Sequence, residues 1–378
     1  MWVVDCRAML LLTLLGAAWG LAVAAILFPH RRVLIALWRE PVMRHPVLIV
    51  ESDDWGAGPV EQARALAAIT DGLSRHRDGA GRSPVMTVAL ILALPEANVA
   101  TRLRPLDAPE FASVLDALKA GIARGVLAPQ LHGMTHFWPP ALGRAALEQP
   151  QVATWLAAPE LTERLPSPLQ SRWTDASVLP SRPLEVAAIH EAVAEEVALY
   201  ARVLGAPPRV VVPPTFVWSA DVEAAWAAAD VRVLVTPGRR LTSRDGAGRP
   251  AGVDREMHSG ERGEGGLIYL VRDDYFEPLL GHTPERALTA LANKTALGRP
   301  CLLETHRNNF LLAAGGDPER ALAALDELYR RALAETPSLR FLSCAELGRI
   351  LREADPAWIE QDRRRRFTIW LRRIARLP

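Results

Sequence analysis

Short apolar runs and longer segments with a helical period alternate along most of the chain. The apolar runs lie at residues 47–52, 86–94, 126–131, 209–212, 231–235, 267–271, 300–304 and 339–342. A run of this kind followed by turn residues predicts a buried strand. The segments between the runs place apolar residues on one helical face, most clearly at 58–76, 107–125, 184–204, 219–229 and 317–334. Such alternation predicts an α/β fold of parallel βα units. We interpret it as a closed or nearly closed (β/α) barrel, with an open doubly wound sheet as the alternative.

Two stretches interrupt this alternation. Residues 137–182 are irregular and rich in proline and tryptophan, which indicates an insertion that forms a lid or a substrate-binding wall. Residues 241–265 are rich in glycine and charge, which predicts a surface loop. The main domain is therefore expected over residues 46–355, with the insertion inside it.

An uncharged apolar segment, residues 9–28, precedes the main domain and has the length of one membrane span. Arginines lie on both sides of it, and the excess after the segment places the following domain on the cytoplasmic side. A secretory signal peptide is the alternative, because Ala22-Val23-Ala24 is a small-residue cleavage motif. A buried soluble helix fits less well, since every face is apolar. We expect residues 1–45 to form an uncleaved single-pass anchor and a basic connector.

The last segment, residues 356–378, is basic and amphipathic. Arg363 to Arg366 form a run of four arginines, and apolar residues such as Trp370 then alternate with further arginines. Such a segment is typical of helices that lie on an anionic membrane surface. A terminal helix packed on the barrel is the alternative.

Composition excludes several classes of protein. The chain has 378 residues and a net charge of +1, which gives no support to nucleic-acid binding. No glycine-rich phosphate-binding motif follows an early strand, so nucleotide binding has no support either. Cys6, Cys301 and Cys344 are too far apart for a CxxC metal site or a disulfide framework.

Charged and imidazole side chains stand where several predicted strands end. Asp53 and Asp54 follow the first strand, His132 and His136 follow the third, and late strands are followed by Arg272, Asp273, Asp274 and His306. Any one of these residues has an ordinary structural explanation, such as a helix cap or a packed histidine. In a parallel barrel, however, the carboxyl ends of all strands face the same rim. The sequence therefore predicts that these side chains meet in one site.

One aspartate and two histidines at this rim form a plausible set of metal ligands. The HxxxH spacing lets both rings of His132 and His136 reach one ion from a helical turn. An aspartate with two histidines supplies three nitrogen and oxygen ligands and leaves a position for water. This ligand set is typical of a hydrolytic site, and zinc is the first metal we expect.

The order of these motifs resembles that of the NodB-type polysaccharide deacetylases, or carbohydrate esterase family 4. The resemblance rests on Asp53-Asp54, on His132-x-x-x-His136 and on His306 at the end of a late strand, and it covers residues 47–350. It implies a distorted (β/α) barrel of about seven strands. It also implies that Asp53 is the catalytic base and His306 the general acid, and that Asp54, His132 and His136 bind the metal.

The chain departs from the family pattern at three places. Trp55 stands where the family has glycine, and Gly133 stands where it has serine or threonine. Val212 takes the place of the arginine that orients the base, and Arg272 or Arg307 is the candidate replacement from a neighbouring strand. Aromatic and basic residues near the predicted rim are candidates for contact with a sugar, and they are Trp55, Trp138, Phe216, Arg272 and Arg307.

The sequence as a whole predicts a membrane-anchored, metal-dependent hydrolase that removes N-acetyl or O-acetyl groups from a glycan or a lipid-linked glycan. Two alternatives stay open. One is a glycoside hydrolase that pairs Asp53 with Asp273 or Asp274, and the other is an inactive glycan-binding or assembly protein on the same fold. Membrane lipid is expected to contact the N-terminal helix and the basic tail. The membrane face stays open, because the flanking charge favours the cytoplasm and the family resemblance favours the outside.

Overall fold

The computed structural model describes residues 6–377, apart from the side chains of residues 6–8 and 21–27. The chain divides into two compact units. One unit combines the residues up to Glu40 with those from Gln361 onward, and the other runs from Pro41 to Glu360. The first five residues of the predicted segment 1–45 and the last residue of the predicted tail 356–378 lie outside the described residues.

The smaller unit is helical. Its helices are α1 (Cys6–Leu27), α2 (Arg31–Arg39) and α12 (Arg363–Ile374). Within this unit α12 packs against α2. Among the residues that the structure describes, no helix is both long and apolar enough to cross a membrane. The membrane span predicted for residues 9–28 is therefore not supported.

The larger unit contains all the strands of the described chain and nine helices. The strands are β1 (Val47–Gly56), β2 (Met86–Ile91), β3 (Ala93–Glu96), β4 (Val99–Pro105), β5 (Leu127–Leu131), β6 (Val210–Val211), β7 (Val233–Thr236), β8 (Arg239–Arg244), β9 (Pro250–Glu256), β10 (Ile268–Val271), β11 (Asp274–Tyr275), β12 (Cys301–His306) and β13 (Arg340–Phe341). The helices are α3 (Gln62–Leu73), α4 (Ala112–Ala123), α5 (Pro139–Glu148), α6 (Pro150–Ala157), α7 (Val186–Leu204), α8 (Ala220–Ala228), α9 (Pro284–Ala296), α10 (Pro318–Glu335) and α11 (Cys344–Glu353).

Nine of these strands form one curled parallel sheet. Its order is β10-β7-β6-β5-β2-β1-β12-β11, with β13 paired to β1. The strand path ends at β10 and β11, so the sheet is a curled half-barrel. The prediction of parallel βα units in a closed or nearly closed barrel is therefore confirmed for the parallel α/β architecture, whereas a closed barrel is not formed. Both faces are buried, because Leu48 and Val50 of β1 pack in one apolar cluster and Val47 and Ile49 in another. Covered faces of this kind explain why the strands have continuous apolar sequences.

Two of the predicted irregular segments contain regular structure. Residues 137–182 include the short helices α5 and α6 and two 3₁₀ turns. Most of the predicted loop 241–265 belongs to an antiparallel hairpin of β8 and β9. The alternation of polar and apolar residues fails in this hairpin because its strands are largely exposed or paired through charged side chains, as Arg240 is with Glu223 and Asp254.

Strand β1 extends through the acidic pair and contains an irregularity there. Its register against β2 shifts between Ser52 and Trp55, and Asp54 has a φ of +73°. A bulge adds a residue to one strand and redirects side chains, and a left-handed aspartate costs conformational energy. The irregularity places Asp53 and Asp54 on the same cavity although they are neighbours in a strand.

Gly56, at the end of this irregular stretch, is expected to tolerate no side chain. Its φ is +109°, and an added Cβ would lie 2.3 Å from the carbonyl oxygen of Ile91. The Gly56→Ala variant should therefore lose about 2–3 kcal/mol of unfolding free energy. Chemical denaturation of the full chain measures the difference.

Gly72 in α3 provides the matched control, because no heavy atom lies within 4 Å of its added Cβ. Gly72→Ala should leave the protein as stable as the parent or more stable by about 0.5–1 kcal/mol. Equal behaviour of the two variants would show that the backbone at Gly56 relaxes freely.

Candidate active site

A cavity of about 390 Å³ opens where β1, β5 and β12 end. Parallel strands place their carboxyl ends at one edge of a sheet, so residues far apart in sequence meet there. Six of the residues singled out from sequence line this cavity, and they are Asp53, Asp54, His132, His136, Phe216 and His306. The same wall includes Glu163, Gln170, Tyr275, Glu277, Glu304 and Asn308.

Asp54, His132 and His136 face one another on the buried side of the cavity. Asp54 Oδ1 lies 3.5 Å from His132 Nε2 and 3.3 Å from His136 Nε2. One ligand atom from each residue lies within 4.8 Å of the other two. Asp54 Oδ1 is buried and has no hydrogen-bond partner. An unsatisfied carboxylate oxygen between two imidazole nitrogens is costly alone and fits a divalent cation.

The surroundings of the two rings suit the same role. His132 Nδ1 donates to the carbonyl oxygen of Val212 at 2.7 Å, which turns Nε2 towards Asp54. Burial would lower the pKa of His132, but the hydrogen bond to Asp54 and the charges of Asp53 and Asp54 raise it, so a bound metal ion would displace a proton from Nε2. Burial lowers the pKa of His136 to about 4, which leaves that ring neutral at neutral pH. The residues therefore fit a metal ion. The helical turn expected at 132–136 is wrong, because these residues form an irregular loop after β5.

Asp53 is held by an arginine that follows another strand of the sheet. Arg272 Nη1 and Nη2 donate to the two carboxylate oxygens at 3.0 and 2.6 Å. Burial alone would raise the pKa of Asp53, but the charge of Arg272 lowers it below its ordinary value, with a smaller contribution from His132. Of the two arginines considered from sequence, Arg272, which follows β10, is the one that bonds Asp53, whereas Arg307 pairs with Glu163.

Arg272 is the centre of a buried cluster of charges. Its Nε donates to Glu304 at 3.1 Å, and Glu51 lies 3.6 Å from Nη1. The guanidinium also stands 5.3 Å from the ring centroid of Phe216, within cation–π range. Arg272 has no exposed surface, so it orients Asp53 and does not contact a substrate directly.

His306 lines the same cavity and lies beside Asp53. The register of β1 against β12 pairs Asp53 with His306. His306 Nδ1 lies 2.6 Å from Glu277 Oε1, and Asn309 Nδ2 donates to the other oxygen of Glu277. Burial would lower the pKa of His306, but the hydrogen bond to Glu277 and the charge of Asp54 raise it to about 10. His306 is therefore a proton donor at neutral pH.

Asp53, Glu304 and His306 form a second group of ligand atoms within 4.8 Å. Both carboxylates in this group already accept hydrogen bonds from Arg272. A guanidinium in that position repels a second cation, so the group of Asp54, His132 and His136 is the better metal site.

Sequence reasoning missed the acids that support the site. Glu51 and Glu304 each stand two residues before a predicted catalytic residue, and the period of two along a strand places them on the same face. Glu277 lies only three residues after Asp274, in the segment that joins β11 to α9. A search for acids two residues before Asp53 and His306 would have found the first two.

Several predicted substrate contacts lie away from the cavity surface. Trp55 is fully buried, donates Nε1 to Ser52 and packs against Phe310. Trp138 is half-buried and packs against the main core, and Arg307 is buried against Glu163. Burial therefore corrects the predicted roles of Trp55 and Arg307 in binding a sugar, because neither has exposed surface. Trp138 keeps some exposed surface but is not among the residues that line the cavity, so its contact with a sugar stays a prediction.

Asp273 and Asp274, the possible partners of Asp53 in a glycosidase, also lie outside the residues that line the cavity. Lys294 lies 2.5 Å from Asp273 and 3.4 Å from Asp274. Neither acid is among the residues that line the cavity with Asp53. The pairing of Asp53 with Asp273 or Asp274 is therefore not formed.

No protein-family model and no curated protein sequence matches this chain. Solved structures match over most of it at low identity. They include a family 4 carbohydrate esterase from Streptomyces lividans in complex with acetate, at 11% identity, with 80% of this chain and 93% of that chain covered and a TM-score of 0.37. The peptidoglycan deacetylase PdaC from Bacillus subtilis matches at 10% identity, with 83% and 95% covered and a TM-score of 0.39.

A 4-alpha-glucanotransferase from Thermococcus litoralis is similar to the same extent. It matches at 13% identity with a TM-score of 0.42 over 80% of this chain, which spans 40% of that protein. Similarities of this size do not transfer a function, so the functional argument rests on the site itself.

Proposed function

We propose that the chain is a metal-dependent hydrolase that removes acetyl groups from the amino sugars of a glycan or a lipid-linked glycan. The observation that carries the proposal is the convergence of three elements around one cavity. The first is the possible metal-ligand group of Asp54, His132 and His136. The second is the carboxylate of Asp53, which is hydrogen-bonded to Arg272, and the third is the imidazole of His306, which is hydrogen-bonded to Glu277. A carboxylate that can act as a base and an imidazole that can act as an acid, side by side next to a metal site, suit hydrolysis of an amide.

Asp53 is the group that accepts a proton from the attacking water. A divalent ion at Asp54, His132 and His136, with zinc our first choice, would polarise the acyl oxygen and lower the pKa of water. The two hydrogen bonds from Arg272 hold the carboxylate ionised and fix its direction. The low pKa of Asp53 keeps the carboxylate ionised and able to accept a proton, while the adjacent ion would lower the pKa of the water that donates it.

His306 supplies the proton that the departing amine requires. Glu277 fixes the ring through Nδ1, so Nε2 is the nitrogen available to the cavity. The raised pKa keeps this proton in place until the carbon–nitrogen bond breaks. A divalent ion nearby would lower that pKa towards the range in which transfer is fast.

The remaining wall suits a sugar ring. Phe216 and Tyr275 present aromatic surfaces, and Gln170 and Asn308 offer amides for hydroxyl groups. No lysine or arginine lines the cavity among the described residues, so the wall favours an uncharged amino sugar over an anionic one.

The test combines metal content with acetate release. The full chain, purified without chelator, should hold about one equivalent of a transition metal and release acetate from N-acetylated glycan oligomers. His132→Ala should weaken metal binding by about 100-fold or more, because a direct ligand contributes at least as much as its supporting partners. Acetate release should fall with metal occupancy.

His190→Ala is the matched control, because this histidine is exposed on α7. It should retain both metal and activity. Absence of metal in the parent after incubation with zinc or cobalt, or full activity after its removal, would refute the proposal. A metal-loaded parent without acetate release on any N-acetylated or O-acetylated glycan would favour the inactive binding protein.

A further inference from the structure

The helical unit of α1, α2 and α12 has a charge unlike that of the whole chain. Its described residues include eleven arginines and two acids, Glu40 and Asp362, whereas the chain as a whole carries +1. The positive charge is therefore concentrated in one unit, and the rest of the chain balances it. Such asymmetry indicates an anionic partner for that unit.

Helices α2 and α12 pack side by side and share a small core. The rings of Trp38 and Trp370 meet edge to face, with centroids 6.0 Å apart, and Trp370 Nε1 donates to the carbonyl oxygen of Leu34. Arg373 is buried and donates to the carbonyl oxygens of Leu37 and Glu40. These contacts fix the two helices side by side and thereby fix which side chains remain outside.

The side chains that remain outside include large apolar ones. Val33, Ile35, Trp38, Phe367 and Leu371 are between 38% and 49% exposed. Phe367 and Leu371 are four residues apart and therefore share one face of α12. Helix α1 adds a further apolar surface, because its large side chains between Met9 and Trp19 are 57–73% exposed. An apolar surface of this extent on a folded unit marks an interaction site.

Arginines surround these apolar side chains on both helices. Those that are exposed include Arg31, Arg32, Arg39, Arg363, Arg364, Arg372 and Arg376. Lipid phosphate groups can pair with the arginines, and lipid acyl chains can bury the valine, isoleucine, leucine and phenylalanine side chains. A nucleic acid offers the first of these partners but no acyl chain for the aliphatic residues.

We propose that this helical unit binds the surface of a bilayer that contains anionic lipid. The arginines contact lipid phosphates. Phe367, Leu371 and the exposed apolar side chains of α2 insert between the headgroups and the acyl chains of the bilayer. Each arginine near an anionic bilayer strengthens binding by about fivefold, and each buried apolar side chain adds to this. Binding is therefore expected to need anionic lipid and to weaken with salt.

The experiment is flotation of the full chain with lipid vesicles. Vesicles of phosphatidylcholine and phosphatidylglycerol should bind the chain, and vesicles of phosphatidylcholine alone should bind it much more weakly. The double variant Arg364→Gln, Arg372→Gln should bind the anionic vesicles about 25-fold more weakly. Phe367→Ser with Leu371→Ser should weaken binding as well, and high salt should not remove this second effect.

Arg64→Gln with Arg330→Gln is the matched control. It removes the same charge from exposed positions on α3 and α10 in the other unit. Its vesicle binding should equal that of the parent. The proposal would be overturned if the two arginine double variants lost vesicle binding equally or if the parent showed no preference for phosphatidylglycerol. Tight binding to duplex DNA without binding to vesicles would also overturn it.

Discussion

The Arg272→Met variant is expected to lose about 3–5 kcal/mol of unfolding free energy at neutral pH together with nearly all of the proposed acetate release. Arg272 has no exposed surface and is the cation shared by Asp53, Glu304 and Glu51. Removing one partner from a buried ion pair leaves the other charge without compensation. Here three carboxyl groups lose the same cation, and Asp53 loses both of the hydrogen bonds that aim it into the cavity.

The pH dependence of this loss follows from the pKa of Asp53. Arg272 lowers that pKa in the folded protein, so its contribution is present above the ordinary carboxyl pKa of about 4 and disappears as pH falls through the folded value. The stability gap between parent and variant should therefore narrow on acidification. Denaturant unfolding at about pH 7 and at about pH 3, below the ordinary carboxyl pKa, measures it.

Two further variants separate charge from geometry. Arg272→Lys keeps a cation but loses the planar fork, so we expect most of the stability to return while activity stays about 100-fold low. Arg240→Met removes another buried arginine, which pairs with Glu223 and Asp254 and does not line the cavity. It should cost stability and spare activity. A stable and active Arg272→Met protein would show that Asp53 needs no orienting cation.

The contact between Arg272 and Asp53 illustrates what sequence reasoning can and cannot provide. Each residue follows an apolar run in the sequence, and a parallel fold brings such positions to one edge of the sheet. The two are 219 positions apart, and nothing in the sequence distinguishes Arg272 from Arg307 as the partner of Asp53. The choice depends on strand order, since β10 and β1 lie on opposite halves of the curled sheet.

Local backbone shape was less predictable than the position of the elements. The apolar run 47–52 predicts β1, but the shift at Ser52 and the left-handed Asp54 depend on how β2 pairs with it. Spacing alone suggests a helical turn for His132 and His136. The loop is set instead by backbone hydrogen bonds from Leu92 and Ala93 to Gly133 and Met134. Pairing between distant segments therefore decides the geometry of the ligands.

Sequence patterns also failed to predict an exposed polar hairpin and the burial of an aromatic side chain. The hairpin β8–β9 lacks the alternation that marks a half-buried strand, because its charged side chains are exposed or bonded to one another. Trp55 was selected for its aromatic ring, yet burial and the hydrogen bond to Ser52 use that ring inside the protein. Side-chain type indicates what a residue can do, while burial decides whether a ligand can reach it.

The second large effect is expected for Asp53→Asn, which should lower kcat by about 10³–10⁴-fold and leave metal binding intact. The amide has the size of the carboxylate but accepts no proton from water at neutral pH. It also accepts fewer hydrogen bonds from Arg272, so the side chain is held less firmly. Asp54, His132 and His136 are unchanged, so metal content should stay near that of the parent.

Measuring metal content beside kcat distinguishes a base from a ligand. A base variant keeps the metal and loses turnover, whereas a ligand variant such as His132→Ala loses both. Asp254→Asn is the matched control, because it removes a carboxylate from Arg240 outside the cavity and should change neither quantity. Loss of metal from Asp53→Asn would make Asp53 a ligand. Unchanged turnover would exclude Asp53 as the base. Glu304 on β12 is the other carboxylate beside His306 in the cavity, and it would then be the next residue to substitute.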